Sequence, residues 1–396
     1  MRCCKPLFCL IFLPFLLFSC KGKVETELFP DAITFNIEDV EHFHLTGGRR
    51  IEISPALRIL EIAFHDSLLI LTAESVANDY LLHIHNAFTG KHLNSFARQG
   101  RGPNEFLALG CVQLLENRRE LYFLDLNANV GIAYSLDSLL NKSIIPSHIV
   151  RFKERAYMMH LRIDSVHYLC GLIGHNWEGL EPSYLLYYIY NIANETFINR
   201  VSLPPLDGID SVFNSHHLSA IFRTQPGWVS YNEHTGFIVQ PYSHTDLLEV
   251  YDYNNDMKRV VRIHGPDRFF PYFEFTDPAT SMADLMNPDK ETWPAAKSKR
   301  DAIVFPKGVS RSAYFRARAY DEGFYVMYSG IPYPKESDPG ISISTIKHLL
   351  YFHYDGTPVR RYTFDISHGQ HYAVDTDRGV IYLLGLDGEI YAYDIP

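Results

Sequence analysis

The chain has 396 residues, 46% of them hydrophobic and 14% aromatic, with 46 acidic against 36 basic side chains and a formal charge of -10. A chain this long can bury a large core. So negative a surface offers little to a nucleic-acid backbone, which sets nucleic acid aside as a partner.

At the N-terminus, MRCCKPLFCLIFLPFLLFSC places Arg2 and Lys5 ahead of an apolar run from Leu7 to Phe18. The run is too short and wrongly flanked for a spanning helix and reads as an export signal over residues 1–19. Its end, LLFSC, resembles the lipobox of bacterial lipoprotein precursors. That resemblance implies a lipid on Cys20, a tether over 20–39, and a membrane partner held through the anchor. Lys21, Gly22 and Lys23 follow the cysteine, with Glu25 and Glu27 only later. A periplasm-facing outer-membrane anchor is therefore preferred to surface display, which stays open. Four of the six cysteines lie in this segment, leaving Cys111 and Cys170 in strand-like runs where buried free thiols are expected. No CxxC pair is present, so neither thiol-redox chemistry nor a cysteine-rich zinc site is supported.

From residue 40 onward, short apolar alternating runs recur: ILEIAF, LLILTA, YLLHIHN, ELYFLDLN, HYLCGLIG, YLLYYIYN, GFIVQPY, LLEVYDYN, GFYVMYSG, HLLYFHYDG, GVIYLLGLDG and EIYAYD. Their length, aromatic content and Gly, Asn or Asp boundaries predict strands. Several share a strand, turn, strand rhythm, with turns beginning at Asn86, Asn127, Asn191, Asn254, Asp355 and Asp387. The spacing is irregular around the roughly 40–50 residues of a propeller blade. A four-stranded blade cannot bury its own faces, whereas a ring of blades buries each sheet against the next. The expected fold is all-β: a six-bladed β-propeller over 40–396 with four-stranded antiparallel blades. The long interval from Asn254 to Asp355 holds a candidate insertion, Gly265 to Phe305, with one possible helix around Ala279 to Met286. Because the chain ends in the strand EIYAYDIP, residues between Thr34 and Ile62 are expected to close the last blade.

The segment RQGRGPNEF, Arg98 to Phe106, follows an early strand. Gly100, Gly102 and Pro103 suit a turn. Glu105 is expected to accept from nearby backbone amides, with Phe106 plugged between blades. Neither GxxxxGK[ST] nor GxGxxG is present, so a phosphate loop is unsupported. Together with the lipobox and the blade rhythm, Gly100, Gly102, Pro103, Glu105 and Phe106 resemble the GxGPxEF segment of six-bladed, TolB-like propeller lipoproteins of Bacteroides-type bacteria. That resemblance implies an architecture and an envelope location but no settled activity.

Candidate ligand-binding residues are Arg98 and Arg101, whose planar forks suit a carboxylate or phosphate if they face the ring's mouth. Trp177, Trp228 and Trp293 join them, since all three lie in turn-rich segments where an aromatic platform suits a sugar or peptide. For each of the five a structural role as turn or interblade cap is the competing reading. Histidines pair at His42 and His44, His83 and His85, and His216 and His217. His83 and His85 share one strand face, the arrangement a metal would need, but a third ligand cannot be located from the sequence, so no metal and no cofactor is assigned. HExxH and GxSxG are absent, and no carboxylate spacing identifies an acid and base. The sequence leaves catalysis open. It favours an envelope binding module for a glycan, peptide or other small ligand over a polysaccharide hydrolase or lyase, or a protein-interaction scaffold.

Overall fold

The computed structural model describes residues 29, 31–54, 57–74, 80–102, 105–106, 109–125, 128–152, 160–171, 185–202, 228–243, 245–269, 274–275, 303–304, 311–332 and 346–396. The first strands, β1 (Glu41–Leu45) and β2 (Arg49–Ile51), belong to blades completed by the end of the chain. Blade 1 follows as β3 (Arg58–His65), β4 (Leu68–Glu74), β5 (Tyr80–Asn86), β6 (His92–Gln99) and β7 (Glu105–Phe106). Blade 2 holds β8 (Leu109–Leu115), β9 (Glu120–Asp125), β10 (Val130–Ser135) and β11 (His148–Arg151). Blade 3 holds β12 (His160–Arg162), β13 (His167–Gly171), β14 (Leu185–Asn191) and β15 (Thr196–Ser202). Blade 4 holds β16 (Ser230–Tyr231), β17 (Phe237–Pro241), β18 (Leu247–Asp252) and β19 (Lys258–His264).

A two-stranded pair, β20 (Glu274–Phe275) and β21 (Ile303–Val304), lies in the long insertion, whose expected helix falls outside the described residues. Blade 5 then forms from β22 (Tyr314–Ala319), β23 (Phe324–Tyr328), β24 (His348–Phe352) and β25 (Pro358–Phe364), with β1 added parallel to β25. Blade 6 forms from β26 (His368–Asp375), β27 (Val380–Gly385) and β28 (Ile390–Asp394), and β2 supplies its outermost strand, antiparallel to β28. The all-β, six-bladed expectation holds. The uniform four-strand blade does not: blades 1 and 5 carry a fifth, parallel strand on their outer edges.

Alternation along the strands explains why the sheets stack in a ring. On β4, Leu68 and Ile70 join Phe96, Leu121 and Phe123 between blades 1 and 2, while Leu69 and Leu71 join Tyr382 and Leu384 between blades 6 and 1. The buried apolar clusters follow this rule around the ring, one at each of the six seams. Cys170 is buried in the seam between blades 2 and 3, where its thiol donates to the Tyr168 carbonyl at 3.7 Å.

Of the stretch 20–39 assigned to a tether, residue 29 and residues 31–39 lie against the ring. Ile33 bridges Ile263 on the outer strand of blade 4, donating to the Arg262 carbonyl and accepting from His264, each at 2.8 Å. Asp31 accepts from Arg262 Nη1 at 2.7 Å, and Arg262 Nε donates to the buried Glu249 carboxylate at 2.8 Å. The segment then runs across the outside of three blades and drops an apolar side chain into each seam it meets. Phe29 enters the seam between blades 3 and 4, Phe35 and Val40 the next, Leu45 the next, and Ile51 the closing seam between blades 6 and 1. Among the described residues no helix is long and apolar enough to cross a membrane.

Candidate functional site

The inner strands β3, β8, β12, β16 and β22, with the turns after β8, β16 and β22, line a cavity along the ring axis. Register shifts interrupt the pairing of β3 with β4, β8 with β9, β22 with β23, and β26 with β27. Such bulges re-aim side chains and are common beside sites. Here they accompany a change of side-chain chemistry, from apolar between the blades to charged along the axis.

Arg316 and Arg318, two apart on β22, both line the cavity. Arg316 pairs with Glu61 of β3 through Nη1, and its guanidinium lies 4.7 Å from the Trp228 ring centroid. Arg318 Nε donates to the Tyr372 carbonyl at 2.7 Å, and its Nη2 lies 3.7 Å from Glu61. Trp228 is held by the backbone: its N–H donates to the Phe315 carbonyl at 2.9 Å and its carbonyl accepts from Ala317 at 3.2 Å. Arg316 Nε is buried with no hydrogen-bond partner, as is Nδ1 of His371 on the neighbouring β26. Burial, reinforced by Arg316 and Arg318, pushes His371 down to about 3, so its ring is neutral.

Toward the end of the channel formed by the turns after the inner strands, carboxylates gather. Glu233 accepts from the Asn117 amide at 3.2 Å and pairs with Arg118 at 3.2 Å, reaching from blade 4 to blade 2. Burial still holds Glu233 above the ordinary carboxylate range. Water reaches Glu116, yet enclosure by the ring, with the Asp321 and Glu233 charges, pushes it up to about 7. His234 Nδ1 meets Asp321 Oδ2 at 3.0 Å, a bond that raises the histidine and lowers the aspartate. Asn232, Ser230, Gln113 and Tyr231 complete a wall of mixed donors and acceptors.

Of the candidate ligand-binding residues, Trp228 lines this cavity. Arg98 lies near the end of β6, the fourth strand out from the axis, and Arg101 is exposed in the turn that follows; neither is among the lining residues. Their segment has the expected turn geometry. Glu105 accepts from the Gly102 amide at 2.6 Å, Arg98 lies 3.8 Å from Glu105, and buried Phe106 meets Phe123 edge-on at 5.0 Å. A side chain on Gly100 would displace the Glu105 carboxylate from its present position. Trp177, Trp293, Cys20 and the pair His216 and His217 lie outside the described residues. His42 and His44 sit on the exterior strand β1 and share Thr363 Oγ1 at 2.8 and 2.9 Å. Sequence reasoning missed Glu61, Glu116, Glu233, Arg316 and Arg318. The available signals were a lone glutamate in ILEIAF and alternating arginines in YFRARAY.

No family model matches the sequence, and no curated protein matches it. A solved member of the DUF4221 family from Bacteroides vulgatus superposes with a TM-score of 0.51 at 10% identity, covering 87% of this chain and 94% of that one. The likeness is one of fold. A Bacteroides fragilis protein described as exported gives a TM-score of 0.48 at 10% identity over 89% of this chain and 98% of its own. The propeller domain of Cps50 (Swd1) from Myceliophteria thermophila gives 0.42 at 10% identity over 88% and 100%.

Proposed function

We propose that the chain is an envelope binding module whose ring channel takes a short glycan. The observation that carries the reading is the Trp228 ring, held by backbone pairing and by Arg316, in a cavity whose lining mixes apolar side chains with amide, hydroxyl, carboxylate and guanidinium groups. An aromatic ring beside donors and acceptors suits the mixed apolar and hydroxyl surface of a sugar. The unpartnered Arg316 Nε calls for an oxygen acceptor of the kind a glycan supplies. Export and anchoring through Cys20 rest on the signal and lipobox resemblance, and they would bring the channel to envelope glycans.

A thermal-shift screen of the protein against envelope glycans, peptidoglycan fragments and short peptides tests the reading, because a ligand of the folded state raises its apparent stability. A glycan should raise Tm, and Trp228→Ala should lose that rise. A shift produced by peptides alone would replace the ligand class, and a flat response across the panel would move the weight to a protein scaffold. Replacing Cys20 should release the chain from the membrane fraction. A second reading, a polysaccharide hydrolase or lyase, is favoured by one observation: Glu116, at about 7, stands poised to donate or accept a proton beside Glu233. Glu116→Gln should then abolish product formation while leaving glycan binding in place.

A further inference from the structure

On the rim of blade 1, far out from the channel strands, one hairpin gathers three imidazoles. His83 and His85 alternate on β5, and His92 opens β6. His83 faces Ser95 across the ladder, Ile84 faces Asn94, and a register shift then sets His92 opposite His85. The extra residue, Leu93, thus brings the third histidine onto the face of the first two. One ligand atom from each of the three lies within 4.8 Å of the others. His83 and His85 are buried; His92 is more exposed.

The hydrogen bonds fix which nitrogens have lone pairs to offer. His85 Nδ1 lies 2.9 Å from the Gly90 carbonyl, which can only accept, so the proton sits on Nδ1 and Nε2 has a free lone pair. That Nε2 is buried and without a partner. His83 Nε2 lies 3.2 Å from the Tyr80 carbonyl, which by the same rule leaves Nδ1 as the acceptor, 2.8 Å from Ser95 Oγ. The same hydroxyl, its one proton given to His83, accepts from His92 Nε2 at 2.7 Å, so His92 has to move that proton to Nδ1 when an ion displaces the hydroxyl. Backbone carbonyls that hold the outer nitrogen of a histidine are the usual partners of metal-ligating imidazoles. Here two of the three rings have one.

We propose that His83, His85 and His92 form a site for a zinc-like divalent transition metal that clamps the β5–β6 hairpin at the seam where the ring closes. Three neutral imidazoles without a carboxylate suit zinc, nickel, cobalt or copper rather than magnesium or calcium. Metal–nitrogen bonds of about 2.0–2.1 Å need the three nitrogens nearer one another than they stand. The more exposed His92 can supply most of that movement, with the ion taking the place of the Ser95 hydroxyl between the rings.

The position gives the ion a mechanical role. The hairpin turn is built on Asn86, whose Oδ1 accepts from the Phe88 and Thr89 amides at 3.1 and 2.9 Å. It receives the closing strand β2: Arg49 Nη1 donates to the Phe88 carbonyl at 3.1 Å, and a side chain on Gly90 would strike the Glu52 carbonyl. Stiffening this hairpin therefore stiffens the ring's closure.

The test uses the full chain purified in detergent, stripped with chelator and titrated with zinc and with cobalt. We expect one ion per chain, a rise in Tm on binding, and cobalt absorption of the intensity given by a tetrahedral nitrogen site. His92→Ala, on the more exposed strand, should fold, weaken binding by at least about tenfold and lose the tetrahedral spectrum. His85→Ala removes a buried ring and can fail to fold, so His92→Ala carries the decision. His42→Ala should bind as the native chain does. Failure of the native chain to take up an ion, or binding that His92→Ala leaves unchanged, overturns the proposal. Neither result bears on the channel, which shares none of these residues.

Discussion

Around the channel Arg316 and Glu61 meet with only 5% and 14% of their side chains exposed, whereas on the outer edge of blade 6 Arg50 and Glu389 meet with 57% and 32% exposed. The apolar side chains run the other way. The inner edge has Trp228 beside the arginines, while the outer edge of blades 4 to 6 is crossed by a segment that buries Phe29, Phe35, Val40, Leu45 and Ile51. The outer edge is thus sealed largely by apolar burial, with one buried ion pair, Arg262 with Glu249, under the strap on blade 4. The inner edge holds charges, the Arg316 and Glu61 pair among them, that line a cavity and so stand where a ligand could engage them.

The largest effect expected from this contrast comes from breaking the inner pair. Arg316→Ala leaves Glu61 without the closer of its two arginines in a confined site, and should cost about 3–5 kcal/mol by urea denaturation. An Arg316→Ala chain as stable as the native one would show that the channel is wetter than its exposure implies. Next comes the strap. Phe29→Ala removes a ring from the seam between blades 3 and 4 and should cost about 3 kcal/mol, with faster proteolysis of the N-terminal segment as a second reading.

The pH response of the channel follows from Glu116. Its folded value, about 7, lies above the ordinary carboxylate value, so the folded state holds a proton that the unfolded state releases. The contribution is present in full below the unfolded value and is lost as pH rises toward and through 7. Denaturation midpoints measured between pH 4 and 8 should therefore fall less steeply for Glu116→Gln than for the native chain. Identical slopes would place Glu116 among ordinary solvated carboxylates. The smallest effect belongs to the exposed outer pair, where Arg50→Ala should change stability by no more than about 0.5 kcal/mol.

The same contrast explains what the sequence made legible. Runs such as LLILTA and GVIYLLGLDG lie in the middle of their blades with apolar neighbours on both faces, and they announce themselves. Among the inner strands, β3 stands out as an apolar run and Cys111 marks β8 as strand-like, and on β3 Glu61 marks the channel side. Ser230–Tyr231 is two residues long, and the strands from Leu109, Tyr314 and His368 are bulged, so the period on which alternation depends is broken where the channel begins. The uneven blade spacing has a simple origin. The turn at Asn191 joins third and fourth strands, whereas the turn at Asp387 joins the second and third, and the long interval before Asp355 contains the insertion with β20 and β21. RQGRGPNEF was legible as a turn because its glycines, Glu105 and Phe106 act within a few residues of one another. Its distance from the channel was not, since that depends on which strand of the blade it follows. Trp228 could be singled out by composition, but its pairing with Arg316 joins positions 88 residues apart across two blades.

The account rests on the channel as the place of recognition. Hydrogen–deuterium exchange with and without the glycan that raises Tm tests this most directly. Protection concentrated on Glu61 to Phe64, Trp228 to His234 and Arg316 to Asp321 is the predicted result. Protection confined to Arg98 to Phe106, or to the outer strap, would contradict it.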